Sequence, residues 1–146
     1  MKSPISLFRS LPAAIGRSQP GFLIFYVTNR CNFRCNFCFY GKEIVKGQKS
    51  DELTIDEIEK IAITTGPLLQ LSLTGGEPFL RKNLSDIIDI FIRHTDPWYI
   101  TIPTNASMPD RMSEVLEEIL PKYPKIAFRI TFSIEGIGKE HDDIRS

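Results

Sequence analysis

Residues 21–28 (Gly-Phe-Leu-Ile-Phe-Tyr-Val-Thr) form a short, nearly continuous apolar run rich in aromatic and branched side chains, the pattern of a strand covered on both faces. Further along, Thr54-Ile55-Asp56-Glu57 sets a hydroxyl and a carboxylate three residues apart, so that each side chain can bond the other's backbone N–H and open a helix. Ile55, Ile58, Ile61 and Ala62 then recur at helical spacing until Gly66 stops the helix. Residues 69–74 predict a second strand. Leu84, Ile87, Ile88 and Phe91 predict the apolar face of a second helix, and residues 98–104 a third strand. Ser107, with Pro109 near the first turn, starts a third helix bearing Met112, Val115, Leu116 and Ile119. Residues 125–134 alternate, with Ile126, Phe128, Ile130, Phe132 and Ile134 on one face of a fourth strand.

The resulting series, βαβαβαβ, is that of an α/β fold in which a parallel sheet carries its helices outside. Residues with chemical potential fall just after each strand: three cysteines after the first, Gly75-Gly76-Glu77 after the second, Thr104-Asn105 at the third, Ser133 and Glu135 at the fourth. That is the carboxyl edge, where α/β sheets and barrels bind their ligands. The chain separates these groups by up to about a hundred residues, and the topology gathers them. His94, Trp98 and Tyr99 read as scaffold, a helix-end cation and core aromatics.

Composition changes this picture little. The 146 residues are 42% hydrophobic, with 18 basic and 18 acidic side chains and no net charge, which bounds the chain to one globular unit. Scattered, balanced charge gives no basic stripe for nucleic acid. No run of about eighteen apolar residues is present, nor an apolar stretch ending in a small-residue cleavage site; the expectation is a cytoplasmic protein with no membrane partner. Residues 1–20 read as an N-terminal arm and 21–146 as the folded unit, with no internal repeat or second domain. Gly41 and Gly47 before Lys49-Ser50 have the wrong spacing for a phosphate loop, and Asp51 follows.

All three cysteines, Cys31, Cys35 and Cys38, lie within eight residues. A loop that spans at most about 3.3–3.6 Å per residue can wrap one small cluster, so the three sulfurs serve one object. Iron-sulfur cubes usually take four cysteines; three leave one iron open to a substrate or cofactor. The competing readings are a structural zinc site and a disulfide with a free thiol. Zinc wants a fourth Cys or His nearby, whereas His94 and His141 are distant. An odd cysteine count without a secretory signal disfavours an oxidised framework.

The run Cys31-Asn32-Phe33-Arg34-Cys35-Asn36-Phe37-Cys38 resembles the CxxxCxΦC signature of the radical S-adenosylmethionine (SAM) superfamily, with Phe37 as the aromatic Φ. Thr74-Gly75-Gly76-Glu77-Pro78 resembles that family's GGEP motif. Thr104-Asn105-Ala106 is similar to a TNG that ends the third strand, Ser133-Ile134-Glu135-Gly136 to SLDG with Glu in place of Asp, and His141-Asp142-Asp143-Ile144-Arg145 to an HDxxR run. The resemblance spans residues 21–146, and the order of the motifs carries it.

The resemblance implies the first four βα units of a partial (β/α)6 TIM-like barrel, the N-terminal portion of a radical SAM core domain whose C-terminal part is missing. It further implies that Cys31, Cys35 and Cys38 hold a [4Fe-4S] cluster whose open iron chelates the methionine part of SAM. Reductive cleavage of SAM then gives a 5′-deoxyadenosyl radical, used in peptide modification or cofactor biosynthesis. Gly75 and Gly76 would let backbone approach the methionine ammonium, and Glu77 would bind it. Phe37 would lie beside the adenine, Thr104, Asn105 and Ser133 would face the SAM ribose or carboxylate, and Arg145 would fork onto the carboxylate. Arg30 and Arg34 tune the cluster or are simply exposed. An electron donor of flavodoxin or ferredoxin type and a peptide or cofactor-precursor substrate are the implied partners. The alternative is a non-catalytic iron-sulfur or zinc-binding fragment.

Overall fold

The computed structural model describes residues 20–46 and 52–145. The arm before Pro20, the Gly47–Asp51 stretch and Ser146 lie outside the described residues. Four parallel strands, β1 (Phe22–Thr28), β2 (Gln70–Gly75), β3 (Tyr99–Thr104) and β4 (Ala127–Phe132), stand in the order β1-β2-β3-β4. Helices α1 (Gly41–Lys46), α2 (Ile55–Thr65), α3 (Leu84–Thr95), α4 (Pro109–Ile119) and α5 (Lys139–Arg145) alternate with them.

The predicted caps and stripes account for the helices. Thr54 and Glu57 form both halves of the capping box, and Gly66 ends α2 at φ 74°. Ile58 and Ala62 of α2, Leu84, Ile87, Ile88 and Phe91 of α3, and Val115 and Ile119 of α4 are buried against Leu71, Leu73, Ile100 and Ile102 of the central strands. Phe25 of β1 meets Phe91 edge-on, ring centroids 4.9 Å apart. One apolar layer between sheet and helices therefore fixes the barrel wall, each buried side chain contributing on the order of 1.5–3 kcal/mol.

Several expectations are corrected. β1 is a sheet edge covered on one face only: Phe25 and Val27 are buried, whereas Phe22 and Ile24, pointing the other way, are 62% and 65% exposed. A continuous apolar run does not distinguish the two cases. Tyr99 is not core; it lies half-buried and donates its hydroxyl hydrogen to Gln70 Oε1 at 2.7 Å. The fourth strand is shorter than its alternation, ending at Phe132, with Ile134 exposed. The cap of α4 is Met108, not Ser107. The helix α1 and the 3-10 turn Pro78–Leu80 had no periodic signal long enough to reveal them.

Pro103 shapes the carboxyl edge. β2 and β3 pair only between Gln70–Ser72 and Tyr99–Thr101; beyond that point Pro103 has no N–H to give. The two strands stop sharing ladder hydrogen bonds there, and the turn after β2 enters between their ends.

Candidate active site

The chain leaves β1 through a bulge between Tyr26 and Thr28 and enters the cysteine loop, which is bolted to the Gly-Gly-Glu-Pro turn by backbone hydrogen bonds. Gly76 N donates to Thr28 O at 3.0 Å and Glu77 N to Arg30 O at 2.8 Å. The approach is so close that a Cβ on Gly75, at φ 137°, would sit 2.1 Å from Thr28 O, and one on Gly76 2.0 Å from Arg30 O. What excludes a side chain at both positions is thus the chain's own backbone.

Glu77 is 1% exposed. Its Oε1 accepts from Phe79 N at 3.2 Å and from the Thr104 hydroxyl at 2.8 Å, while Oε2 accepts from Asn105 N at 2.8 Å. The carboxylate therefore fills the gap that Pro103 leaves between β2 and β3. Of about four acceptor positions on a carboxylate, one remains. Thr104, expected to face a ligand, is buried with its hydroxyl on Glu77. Ala106 stands at φ 62°, a left-handed conformation that favours glycine, where the resembled motif has Gly.

A second anchor was not legible in the sequence. Glu52, in the loop before α2, has its side chain 5% exposed and takes Arg30 Nε at 2.9 Å, Arg81 Nη1 at 2.7 Å and the Thr28 hydroxyl. Arg81, equally buried, also donates to Leu53 O and to Asn83 Oδ1; Arg30 Nη2 reaches Leu80 O at 3.3 Å. Burial pushes the Glu52 carboxyl up, but hydrogen bonds from Arg30 and Thr28 and the charges of Arg30 and Arg81 outweigh it, leaving it below the usual range. Arg30 is accordingly a clamp on the loop. Arg34, on the wall of the same cavity, donates to Cys31 O and Phe33 O.

Cys31, Cys35 and Cys38 are free thiols, all half-buried, and line one cavity of about 550 Å³ together with Thr74, Gly75, Gly76, Glu77, Thr104, Asn105, Ser133 and Arg145. Arg34 and Gly41 line it as well, as do Phe33, Asn36, Lys42, Ile44 and Pro103, which the motifs did not single out. Phe37 does not line it: the ring is 56% exposed, with the Arg145 guanidinium 5.5 Å from its centroid. Arg145 donates from Nη2 to Glu135 Oε1 at 2.6 Å, its carbonyl receives the Cys35 thiol at 3.6 Å, and its Nε is buried with no partner. Among the described residues no group of three or more Cys, His, Asp or Glu side chains is gathered closely enough to hold a single metal ion.

The donor set suits a cluster. Three thiols spread around one cavity match a polynuclear group whose irons are separate ligand positions, better than a mononuclear zinc needing four converging ligands. Burial raises the Cys31 thiol above its ordinary value, a Phe33 N–H partly opposes this, and the negative groups of Glu77, Cys35 and Cys38 add to it. Iron therefore has to displace a proton there. Arg145 Nε is an unsatisfied buried donor in the same wall, which leaves one charged N–H free for an anionic group.

A parallel α/β sheet with three thiols and a Gly-Gly-Glu-Pro turn at its carboxyl edge defines the class of cluster-binding half-barrels. The family model described as the Radical SAM superfamily matches residues 25–146, and the chain belongs to that superfamily. The superfamily's enzymes use a [4Fe-4S] cluster and SAM. A GTP 3′,8-cyclase of Mesorhizobium japonicum is 34% identical over 98 residues, covering 63% of this chain and 29% of the relative. A second, of Agrobacterium fabrum, is 37% identical over 87 residues, covering 56% and 24%. The chain thus spans under a third of the length of these relatives. Among solved structures, Streptococcus suis SuiB bound to its precursor peptide SuiA aligns over 99% of this chain and 33% of its own, with a TM-score of 0.67 at 19% identity. Native anSMEcpe with bound AdoMet and Cp18Cys peptide aligns over 86% and 34%, with a TM-score of 0.63 at 19% identity. These likenesses give the fold, that of the partial TIM-like barrel. No helix among the described residues is long and apolar enough to cross a membrane.

Proposed function

We propose that this chain is the N-terminal portion of a radical SAM core domain, residues 21–146, in which Cys31, Cys35 and Cys38 hold a [4Fe-4S] cluster whose fourth iron takes SAM. When bound, these groups supply a 5′-deoxyadenosyl radical for hydrogen abstraction from a substrate. The observation that carries this reading is the convergence of the three thiols, the Gly-Gly-Glu-Pro turn and the β3 and β4 ends on one cavity. Glu77 offers its one remaining acceptor position to the methionine ammonium, while its other positions hold Phe79, Thr104 and Asn105 in place. Arg145 would bind the SAM carboxylate through Nε, a role supported by the burial and lack of a partner at that atom, with Glu135 and Phe37 orienting the guanidinium. Gly75, Gly76 and Ser133 shape the wall around the ligand.

Of the two substrate classes the resemblance allows, a cofactor precursor and a peptide, the likeness to GTP 3′,8-cyclases favours the small molecule, and peptide modification is the alternative outcome. An electron donor of flavodoxin or ferredoxin type and a cytoplasmic setting, which keeps thiols reduced, belong to the same reading. The test is anaerobic incubation of the reconstituted chain with SAM and dithionite. Formation of 5′-deoxyadenosine that disappears on Cys35→Ala is expected; SAM left intact by a cluster-loaded chain would overturn it.

Glu77→Gln separates the two duties of this residue. The amide would turn an N–H₂ toward either the Asn105 N–H or the Phe79 N–H, at a cost of about 1–3 kcal/mol for the unsatisfied donor, and remove the negative charge facing the ammonium. The expected outcome is a lower melting temperature, retained iron, and SAM affinity reduced at least tenfold by isothermal titration. Unchanged affinity would confine Glu77 to its structural role.

A further inference from the structure

The turn after β3 carries a hydrogen-bonded chain that ends on a cysteine sulfur. Asn105 Nδ2 donates to Cys31 Sγ at 3.9 Å and to Asn32 Oδ1 at 2.9 Å. The amide's orientation follows from its other end: Oδ1 accepts both the Ser107 backbone N–H at 3.0 Å and the Ser107 hydroxyl at 2.7 Å. Two donors on one atom identify it as the oxygen and leave the nitrogen on the sulfur side. Asn32 Nδ2 in turn donates to Ser107 Oγ at 2.7 Å, closing a ring of three side chains between the cysteine loop and the β3 end. The backbone of the same residue is fixed as well, since Asn105 N donates to buried Glu77. An asparagine held at both backbone and side chain, with one N–H left over and aimed at a ligand sulfur, is an oriented dipole and not a loose surface amide.

We infer that Asn105 is a positioning residue that tunes the cluster electronically through Cys31, an inference that rests on the proposed cluster reading. A hydrogen bond to a ligand thiolate stabilises the cluster more as it gains negative charge, so the donor favours the one-electron reduced state and raises the reduction potential. The ring with Asn32 and Ser107 keeps the donor in place while the loop accommodates the cluster. The resemblance implies only a role toward SAM for Asn105; the contact with Cys31 assigns it one that does not require SAM.

The experiment is an EPR-monitored reductive titration of the anaerobically reconstituted full chain without SAM, comparing wild type with Asn105→Ala and Ser107→Ala. Leaving SAM out separates the effect from any contact with the ligand. Asn105→Ala is expected to hold the same iron and sulfide as wild type and to reduce at a more negative midpoint. Ser107→Ala, which keeps the amide but loosens it, is expected to shift the same way by less. An Asn105→Ala midpoint equal to that of wild type, with the cluster intact, overturns the inference and leaves the cluster reading standing. If Asn105→Ala loses its cluster, Ser107→Ala decides, a lowered midpoint supporting the inference and an unchanged one overturning it. A wild-type chain that takes up no [4Fe-4S] cluster overturns the proposed function first and this inference with it.

Discussion

Gly76→Ala is expected to leave a chain that still forms its sheet and helices but no longer assembles a cluster. The new Cβ would lie 2.0 Å from Arg30 O, 2.4 Å from its carbon and 2.9 Å from Cys31 N. All three are backbone atoms, which do not swing aside as the end of a flexible side chain does. Either the turn after β2 or the residues entering the cysteine loop must move, and the Glu77 N–H to Arg30 O hydrogen bond at 2.8 Å is lost with the move. Overpacking costs about 1–3 kcal/mol and the hydrogen bond about 1 kcal/mol, so a loss of roughly 2–4 kcal/mol is expected in urea denaturation. The larger consequence is positional, because Cys31 N is among the crowded atoms and either movement alters the joint that sets where Cys31 stands. Iron content after reconstitution should fall to a small fraction of wild type. Gly41→Ala is the comparison: Gly41 lines the same cavity and its N–H donates to Cys38 O, but its Cβ would meet only Cys38 Cβ, at an ordinary 3.8 Å, so without a backbone clash both stability and iron should be retained. Equal iron in Gly76→Ala and wild type would show that the joint between the two loops does not position the thiols.

The second large effect is expected at Glu52. Glu52→Ala removes the shared partner of Arg30 and Arg81 and leaves the Arg81 guanidinium, 5% exposed, without its countercharge. Breaking one side of a buried ion pair costs roughly 3–5 kcal/mol, so this substitution should lower the melting temperature more than any single change in the thiols. A pH dependence follows with a definite sign. The folded-state carboxyl lies below its usual range, so its contribution is fully present above the ordinary Glu value of about 4.3 and is lost as pH falls through the folded value. Wild-type stability by urea titration should therefore fall on acidification below about pH 4.3. Glu52→Gln should start lower and fall less steeply over the same window. Parallel acid limbs in the two proteins would remove Glu52 from the account.

The barrel wall was readable because each element repeats its message. Four residues of α3 lie on one stripe and are all buried, and the Thr54–Glu57 capping box states the start of α2 twice. The three cysteines and Gly75-Gly76-Glu77 were readable because motif and topology agreed on where they go. Other features depend on pairs that are far apart in the chain and have no period. Glu52 and Arg81 are 29 residues apart and sit in loops, and nothing local announces that two charges will be buried together. Asn32 and Ser107 are 75 residues apart, and a serine just ahead of Pro109 announces a helix start, not a distant partner. Exposure of one face of β1 was illegible for a related reason. Phe22, Ile24 and Tyr26 are as apolar as the residues that alternate with them, and nothing along the strand tells which face of the sheet the core packs against. The motif around Glu77 implies a ligand contact, but its spacing does not reveal the gap at Pro103 that the carboxylate also fills.

The claim on which the rest depends is that three thiols of one short loop hold a four-iron cluster, and it is tested most directly by iron and sulfide analysis with EPR of the anaerobically reconstituted protein. The expected result is about four irons and four sulfides per chain, a reducible cluster signal that changes on addition of SAM, and loss of both on replacing Cys31, Cys35 and Cys38 by Ala. One equivalent of zinc with no sulfide, or a cluster that persists in the triple variant, would contradict it.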